Sequence, residues 1–168
     1  MNLKFIQVYS DNNELCETLY PAWLDYMTEL ETEDGELDEL FGVTIKEDFA
    51  RRVRNQGTRP DMHLEVCFDG DEMVGFAHFA IVKGTQYGLL GENEGFVMEF
   101  YVLPTYRRKG YARTLYSHIE TILAAAGARN ICLTSNPAAE AFWLAVDFRK
   151  TEIIDSDNNQ YVFVKEIA

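Results

Sequence analysis

Four basic residues within seven positions form the most informative feature of the sequence. They are Arg107, Arg108, Lys109 and Arg113. An apolar run that ends at Pro104 precedes them, and an apolar pattern of helical period begins at Tyr111, so we expect them at a helix N-terminus. Cations at that end of a helix oppose its dipole by roughly 0.3–1 kcal/mol each. A bound anion therefore explains their concentration better than folding does.

The same segment is suited to a pyrophosphate. The first N–H groups of a helix have no partners within it, and Gly110 carries no Cβ that would block an approaching phosphate. The cradle would be formed by backbone groups between Arg107 and Arg113, with Tyr111 and Ala112 in the first turn. The alternative is a solvated basic turn whose arginines pair with carboxylates.

A second candidate for chemistry is Glu99, the only charged residue in the otherwise apolar run from Phe96 to Leu103. Burial in a strand would raise the pKa of its carboxyl toward the range of a useful general base. The alternative is a glutamate that faces solvent or pairs with an arginine. The residues alone leave both interpretations open.

The elements that must position these residues alternate between strand and helix patterns. Strands are predicted at 3–9, 62–68, 73–82, 96–103, 131–134, 149–154 and 160–167. Helices are predicted from Ser10 or Asp11 to about Met27, from Thr44 to Asn55, from Tyr111 to Ala126 and from Ala138 to Val146. The acidic stretch 29–39 would end the first helix, and a capping-box spacing would begin the second.

The resulting fold class is α/β, in the form of an α+β mixed sheet. About seven strands, antiparallel and parallel, would be flanked by about four helices. The turn residues 69–72 predict a hairpin, and the strands at 96–103 and 131–134 predict a βαβ unit. The run 96–103 is apolar enough to be buried on both faces.

Length and composition favour one globular domain over residues 1–168. Hydrophobic residues make up 47% and charged residues 26%, and no apolar run approaches the roughly 20 residues of a spanning helix. With no signal peptide apparent, we expect a cytoplasmic protein that does not enter a membrane. Three dispersed cysteines and three scattered histidines indicate buried reduced thiols and no metal site.

The net charge of −13 argues against a nucleic-acid partner, because such proteins need a basic face. Thirteen acidic residues and one Lys46 fall between Asp11 and Asp48, which gives that segment a net charge of −12. A field of carboxylates there would attract a cation. The alternative is an acidic solvated segment that serves solubility.

The region from 62 to 165 resembles the GNAT superfamily of acyl-CoA-dependent N-acyltransferases. The family motif [Q/R]-x-x-G-x-[G/A], placed after a strand that ends in V-x-P, matches residues 102–112. Val74-Gly75-Phe76 and the segment from Asn136 to Trp143 match two further family patterns. Residues 1–60, which form the acceptor side in the family, match only in general layout.

The resemblance implies an acetyltransferase in which a primary amine, of a small molecule or a peptide, attacks acetyl-CoA directly. The N–H groups between Arg107 and Arg113 would hold the CoA pyrophosphate. The backbone around Tyr101 and Val102 would pair with the pantetheine and polarise the thioester carbonyl. Asn136 would contact the pantetheine arm, and Glu99 would deprotonate the amine. Family members often form homodimers.

The main departure from the family is Trp143, because a tyrosine usually stands there and protonates the leaving thiolate. An indole cannot deliver a proton at neutral pH, so another tyrosine replaces it or the acid is dispensable. The candidates are Tyr106, Tyr111 and Tyr116. Asp147, where the family has glycine, is a second mismatch. These mismatches keep open an alternative function, a CoA-binding module with little or no turnover.

Overall fold

A computed structural model describes residues 1–34, 41–56, 59, 61–82, 91 and 93–167. The strands are β1 (Leu3–Gln7), β2 (Met62–Asp69), β3 (Glu72–Ile81), β4 (Glu94–Val102), β5 (Asn130–Ser135), β6 (Arg149–Asp155) and β7 (Gln160–Glu166). The α-helices are α1 (Asn13–Asp34), α2 (Phe41–Asn55), α3 (Tyr111–Ala125) and α4 (Glu140–Ala145). Two short 3-10 turns cover Pro104–Tyr106 and Pro137–Ala139.

One sheet contains all seven of these strands, in the order β1-β2-β3-β4-β5-β7-β6. The β4–β5 pair is parallel and the other pairs are antiparallel, because α3 carries the chain back between β4 and β5. The predicted mixed sheet and its βαβ unit are therefore confirmed. The β2–β3 hairpin also forms as predicted, with Gly70 at φ +62° in its turn.

Helices cover both faces of the sheet and bury a separate apolar cluster on each. On one face, α3 packs Leu115, Ile119 and Leu123 against the strands. On the other face, α1 and α2 pack Trp23 and Phe49, among others, against Phe76 of β3. A fully buried side chain of this size contributes about 1.5–3 kcal/mol, so the helical period of apolar residues is what fixes each helix to the sheet.

Helix boundaries are where the local signals failed. The acidic stretch does not end α1 at about Met27, since the helix continues to Asp34. Most of residues 29–33 are Glu or Leu, and both have high helix propensity. Residues 35–39 of that stretch lie outside the described residues. Asn12, not Ser10 or Asp11, caps α1 by accepting the Leu15 N–H at 3.1 Å.

The second and fourth helices also differ from prediction. Helix α2 begins at Phe41, a turn before the expected capping box at Thr44, because its apolar four-residue period extends back that far. The helix expected from Ala138 opens instead as a 3-10 turn at Pro137. Strand β4 begins two residues early, at Glu94. It places Val97 in one apolar cluster and Tyr101 in the other, so both of its faces are covered, although several of its side chains are only partly buried.

Two of the three cysteines are buried, as expected, and one is not. Burial raises the pKa of the Cys67 and Cys132 thiols to about 12, whereas Cys16 is partly exposed. Within the described ranges, no His, Cys, Asp and Glu side chains cluster so as to hold a metal ion. None of the described helices is both long and apolar enough to cross a bilayer. The cytoplasmic location stays a prediction.

Candidate active site

The parallel strands β4 and β5 separate soon after they begin to pair. Their register runs only from Glu94 opposite Asn130 to Phe96 opposite Cys132, so the rest of β4 has an open side toward β5. The Leu103 N–H donates to the Val74 carbonyl of β3 at 2.9 Å. Because hydrogen-bonded and non-bonded residues alternate in an antiparallel pair, the backbone groups of Val102 and Phe100 face the opening.

Because of this alternation, the backbone groups of Tyr101 and Val102, both predicted to pair with the pantetheine, point in opposite directions. Val102 faces the opening as expected, and its carbonyl accepts a hydrogen bond from Arg107 Nε at 2.8 Å. The backbone groups of Tyr101 face β3, opposite Phe76. The backbone groups of Phe100, which the sequence analysis did not single out, also point away from β3, and the Phe100 N–H donates to the Tyr26 hydroxyl oxygen. No pattern in the sequence predicts where two strands diverge.

A β-bulge in β4 determines where Glu99 points. His78 pairs with Glu99 and Phe79 with Val97, which leaves Met98 as an extra residue. A bulge re-aims the side chains that follow it. Val97 therefore packs on the α3 face, whereas Glu99 and Tyr101 both lie on the face covered by α1 and α2. The bulge therefore turns the candidate base toward α1 and α2.

Glu99 is largely buried, with its side chain 14% exposed, and it pairs with an arginine. Both environments that the sequence left open therefore apply in part. Its Oε1 lies 3.1 Å from Arg52 Nη1, and its Oε2 accepts a hydrogen bond from the Tyr26 hydroxyl. Burial raises the pKa of the Glu99 carboxyl, and the Arg52 charge opposes that rise. Burial and the neighbouring Glu99 likewise raise the pKa of Tyr26 well above its usual value.

Arg52 belongs to a polar cluster that the sequence analysis missed. Its Nε donates to Asp48 at 2.8 Å, and its Nη1 lies 3.1 Å from His78 Nδ1. Its guanidinium also stacks on the Trp23 ring at 5.1 Å. Burial lowers the pKa of His78 to about 3, so its imidazole is neutral. The available signal was a single histidine in the apolar run of β3 and the i, i+4 spacing of Asp48 and Arg52 on α2.

The basic loop before α3 has the open backbone expected of an anion cradle. Arg108 and Gly110 both adopt left-handed conformations, with φ of +64° and +91°. The first hydrogen bond of α3 runs from the Thr114 N–H to the Gly110 carbonyl, so the N–H groups of Tyr111, Ala112 and Arg113 precede the helical ladder. A Cβ built on Gly110 would approach only a Met1 side chain, at 3.8 Å, so the glycine keeps this side open.

Some of the basic side chains contact protein groups instead. Arg107 makes a bidentate pair with Glu29 of α1, at 2.8 and 3.0 Å, and its guanidinium stacks on the Tyr101 ring. The Arg107 guanidinium and the Tyr101 hydroxyl hold the pKa of Glu29 below its usual value despite partial burial. Arg113 reaches the Ala145 carbonyl at 3.4 Å, and Lys109 lies over a tyrosine ring. Pairing with carboxylates, the alternative left open by the sequence, thus holds for Arg107.

The remaining predicted residues lie across the opening, on the β5 side. Asn136 caps the 3-10 turn before α4, since its Oδ1 accepts the Ala139 N–H at 3.0 Å. Trp143 is buried and packs edge-on against Tyr116 and Phe148. Asp147 adopts φ +72°, a conformation that glycine tolerates best.

Of the three tyrosines proposed to replace a proton donor, two point elsewhere. The hydroxyl of Tyr106 donates to Glu72 at 3.3 Å, and that of Tyr111 donates to Asp69 at 2.5 Å, both near the β2–β3 turn. Tyr116 is buried beside Trp143, and burial raises its pKa above the usual value. The tyrosine that contacts Glu99 is Tyr26, whose hydroxyl donates to the Glu99 carboxylate.

Comparison with known proteins identifies the family. The family model described as acetyltransferase (GNAT) family matches residues 13–148. PaiA N-acetyltransferase from Thermoplasma acidophilum, solved in complex with coenzyme A, is 17% identical with a TM-score of 0.75, covering 99% of this chain and 100% of its own. An acetyltransferase from Thermus thermophilus is 19% identical with a TM-score of 0.71, covering 99% and 98%.

A third similar structure is AAC(6')-Iy in complex with the bisubstrate analogue CoA-S-monomethyl-acetylneamine. It is 16% identical with a TM-score of 0.61, covering 92% of this chain and 96% of its own. A search of curated protein sequences finds no match. At these identities the solved structures establish the fold, and the family model establishes the membership. The chain belongs to the GNAT acetyltransferase family, whose acetyl donor is acetyl-CoA.

Proposed function

We propose that this enzyme acetylates a primary amine and that Glu99 takes the proton of the attacking amine. The observation that carries the proposal is a buried carboxylate, raised in pKa by burial, beside the open side of β4. Ammonium groups must lose a proton before the nitrogen can attack. A base whose pKa lies closer to neutrality performs that step efficiently at physiological pH.

The residues on both sides of the opening fit acetyl-CoA. The bound thioester supplies an activated acetyl group. The backbone cradle between Arg107 and Arg113, with Arg108, Lys109 and Gly110 at its rim, would hold the pyrophosphate. The outward-facing backbone groups of Val102 and its neighbours in β4 would pair with the pantetheine. Asn136 and Trp143 would line the β5 side.

Proton delivery to the sulfur is not required of this site. Attack by the amine nitrogen on the acetyl carbon breaks the carbon–sulfur bond and releases a thiolate, whose conjugate thiol has a pKa of about 8.5. A leaving group of that basicity can depart without a proton. Trp143 lacks an acidic hydrogen, and the hydroxyls of Tyr106 and Tyr111 donate to carboxylates elsewhere. We therefore propose departure of the unprotonated thiolate.

A cationic acceptor, small or peptidic, fits the acidic face that α1 and α2 present. Asp25 and Glu29 both act on the Tyr101 hydroxyl, which places two carboxylates near the candidate base. Such a cluster would raise the local concentration of a cationic amine.

The homodimer and the cytoplasmic location remain part of the same proposal. The alternative is a CoA-binding module without turnover, which the tryptophan at position 143 motivates if the leaving thiolate does need a proton.

Thermal unfolding with and without acetyl-CoA tests the cofactor site first. At 100 times the dissociation constant, one-site linkage stabilises the native state by about 2.7 kcal/mol. For a chain of this size we expect Tm to rise by roughly 5–10 °C. Gly110→Glu should abolish the rise because its carboxylate would occupy the cradle. No rise in the parent at millimolar acetyl-CoA would overturn the assignment of the loop.

Release of CoA in the presence of a panel of cationic and neutral amines tests turnover. Glu99→Gln should lower the rate about 10²–10⁴-fold at neutral pH, the usual contribution of a general base. Glu94→Gln is the matched control on the same strand, since Glu94 contacts the Gly91 N–H and not the cluster around Glu99. An unchanged rate in Glu99→Gln would remove it as the base. No turnover with any amine from pH 6 to 9 would favour the binding module.

A further inference from the structure

Arg52 is held in one orientation from several directions. Its Nε donates to Asp48, its guanidinium stacks on Trp23, and its Nη1 lies 3.1 Å from His78 Nδ1. Arginine can only donate, so His78 Nδ1 must be the acceptor and its hydrogen lies on Nε2. These contacts restrict the rotamers of Arg52 independently of its contact with Glu99.

The same Nη1 group is directed at Glu99. It lies 3.1 Å from Oε1, while the Tyr26 hydroxyl holds Oε2. A carboxylate has about four lone-pair sites, so these two donors leave about two sites for an incoming proton. Arg52 and Tyr26 thus orient the carboxylate without saturating it.

One cation dominates the charged groups that face Glu99 in the described part of the chain. Tyr26 faces it from α1, Asp48 and Arg52 from α2, and His78 from β3. His78 is neutral because burial holds its pKa at about 3, and Asp48 is already paired with Arg51 and Arg52. The positive charge next to the carboxylate is therefore that of Arg52.

We propose that Arg52 is a positioning residue for the reaction: it orients the Glu99 carboxylate and keeps it charged, so that Glu99 is ready to accept the proton of the amine. This inference rests on the proposed role of Glu99. A purely structural pairing of Arg52 with Asp48 would stabilise α2 and leave the titration of the base untouched. The pH profile of turnover separates the two roles.

Arg52→Met removes the charge and keeps most of the side-chain volume. An opposite charge within about 4–6 Å lowers the pKa of a carboxyl by about 1–3 units. Its removal should therefore raise the pKa of Glu99 and move the acidic limb of the kcat/KM profile upward by a similar number of pH units. Arg52→Lys, which restores the charge, should return the limb toward the parent position.

Arg51→Met is the matched control. Arg51 is the neighbouring arginine, contacts the same Asp48, and is largely exposed, with no contact to Glu99 among those described. It should leave the limb where it is in the parent. A limb that stays in place in Arg52→Met overturns the proposal. If Arg52→Met fails to fold, as judged by its unfolding curve, Arg52→Gln takes its place, since it keeps N–H donors without the charge.

Failure of the proposed base is recognised separately. If Glu99→Gln keeps the parent rate at neutral pH, the base assignment fails whatever Arg52 does. If Glu99→Gln loses activity but the Arg52 variants leave the limb unmoved, only the positioning role is refuted. In the double variant Glu99→Gln with Arg52→Met, we expect no further fall in kcat beyond that of Glu99→Gln alone, and a further fall counts against the proposal.

Discussion

His78 should make the stability of this protein depend on pH in a specific window. The side chain is only 2% exposed, its Nδ1 accepts from Arg52, and burial holds its pKa at about 3. In the unfolded chain a histidine has its ordinary pKa of about 6.5. Between these two values the unfolded chain binds a proton that the folded chain refuses, so stability falls as the pH drops below about 6.5.

The magnitude follows from linkage. Protonation of the unfolded histidine should lower the free energy of unfolding by about 2 kcal/mol from pH 7 to pH 5. Each pH unit well below the unfolded pKa contributes about 1.4 kcal/mol. The folded pKa lies well below this window, so the folded state contributes almost nothing to the change. The loss should continue as the pH falls further and stop at about pH 3, where the folded imidazole also becomes protonated.

Urea unfolding of the parent and of His78→Gln at pH 7, 6 and 5 measures this effect. Glutamine keeps an acceptor for Arg52 but cannot titrate. The difference in free energy of unfolding between parent and variant should therefore change by about 2 kcal/mol from pH 7 to pH 5, in favour of the variant. His63→Gln is the comparison, because burial lowers the pKa of His63 less strongly and its effect should be smaller. Parallel stability curves for the parent and His78→Gln would refute the argument.

Two further predictions concern backbone positions. Asp147 lies at φ +72°, so Asp147→Gly should raise the free energy of unfolding by about 0.5–1 kcal/mol and Tm by roughly 1–4 °C. Asp147→Ala should raise neither. A Gly variant less stable than the parent would contradict this. A Cβ on Gly75 would stand 2.4 Å from the Tyr101 carbonyl oxygen, so Gly75→Ala should cost about 1–3 kcal/mol in urea unfolding; an unchanged midpoint would show that β3 and β4 can separate there.

The parts of the fold that sequence predicted well are those set by local chemistry. The loop from Pro104 to Gly110 combines a residue that ends a strand with one that tolerates a left-handed backbone, and both effects act within a few residues. The apolar period of α3 likewise fixes which face is buried. The loop proposed as the anion cradle could therefore be located without knowledge of the rest of the molecule.

The environment of Glu99 could not be predicted in this way, because it depends on three elements far apart in the chain. Tyr26 is 73 residues from Glu99, and Arg52 and His78 come from two further elements. The bulge at Met98 also reverses which face Glu99 occupies, and an alternating pattern carries no sign of an inserted residue. Sequence could identify the carboxylate but not its partners.

The acidic segment shows why a count along the chain misjudges a local field. Residues 11–48 carry a net charge of −12, but the next turns of α2 add Arg51, Arg52 and Arg54, which reduces the sum over 11–55 to −9. Asp48 is paired within α2, and Glu29 is paired with Arg107 from the opposite side of the site. The cationic partners of Asp48 and Glu29 weaken the field that these two carboxylates exert on an approaching amine.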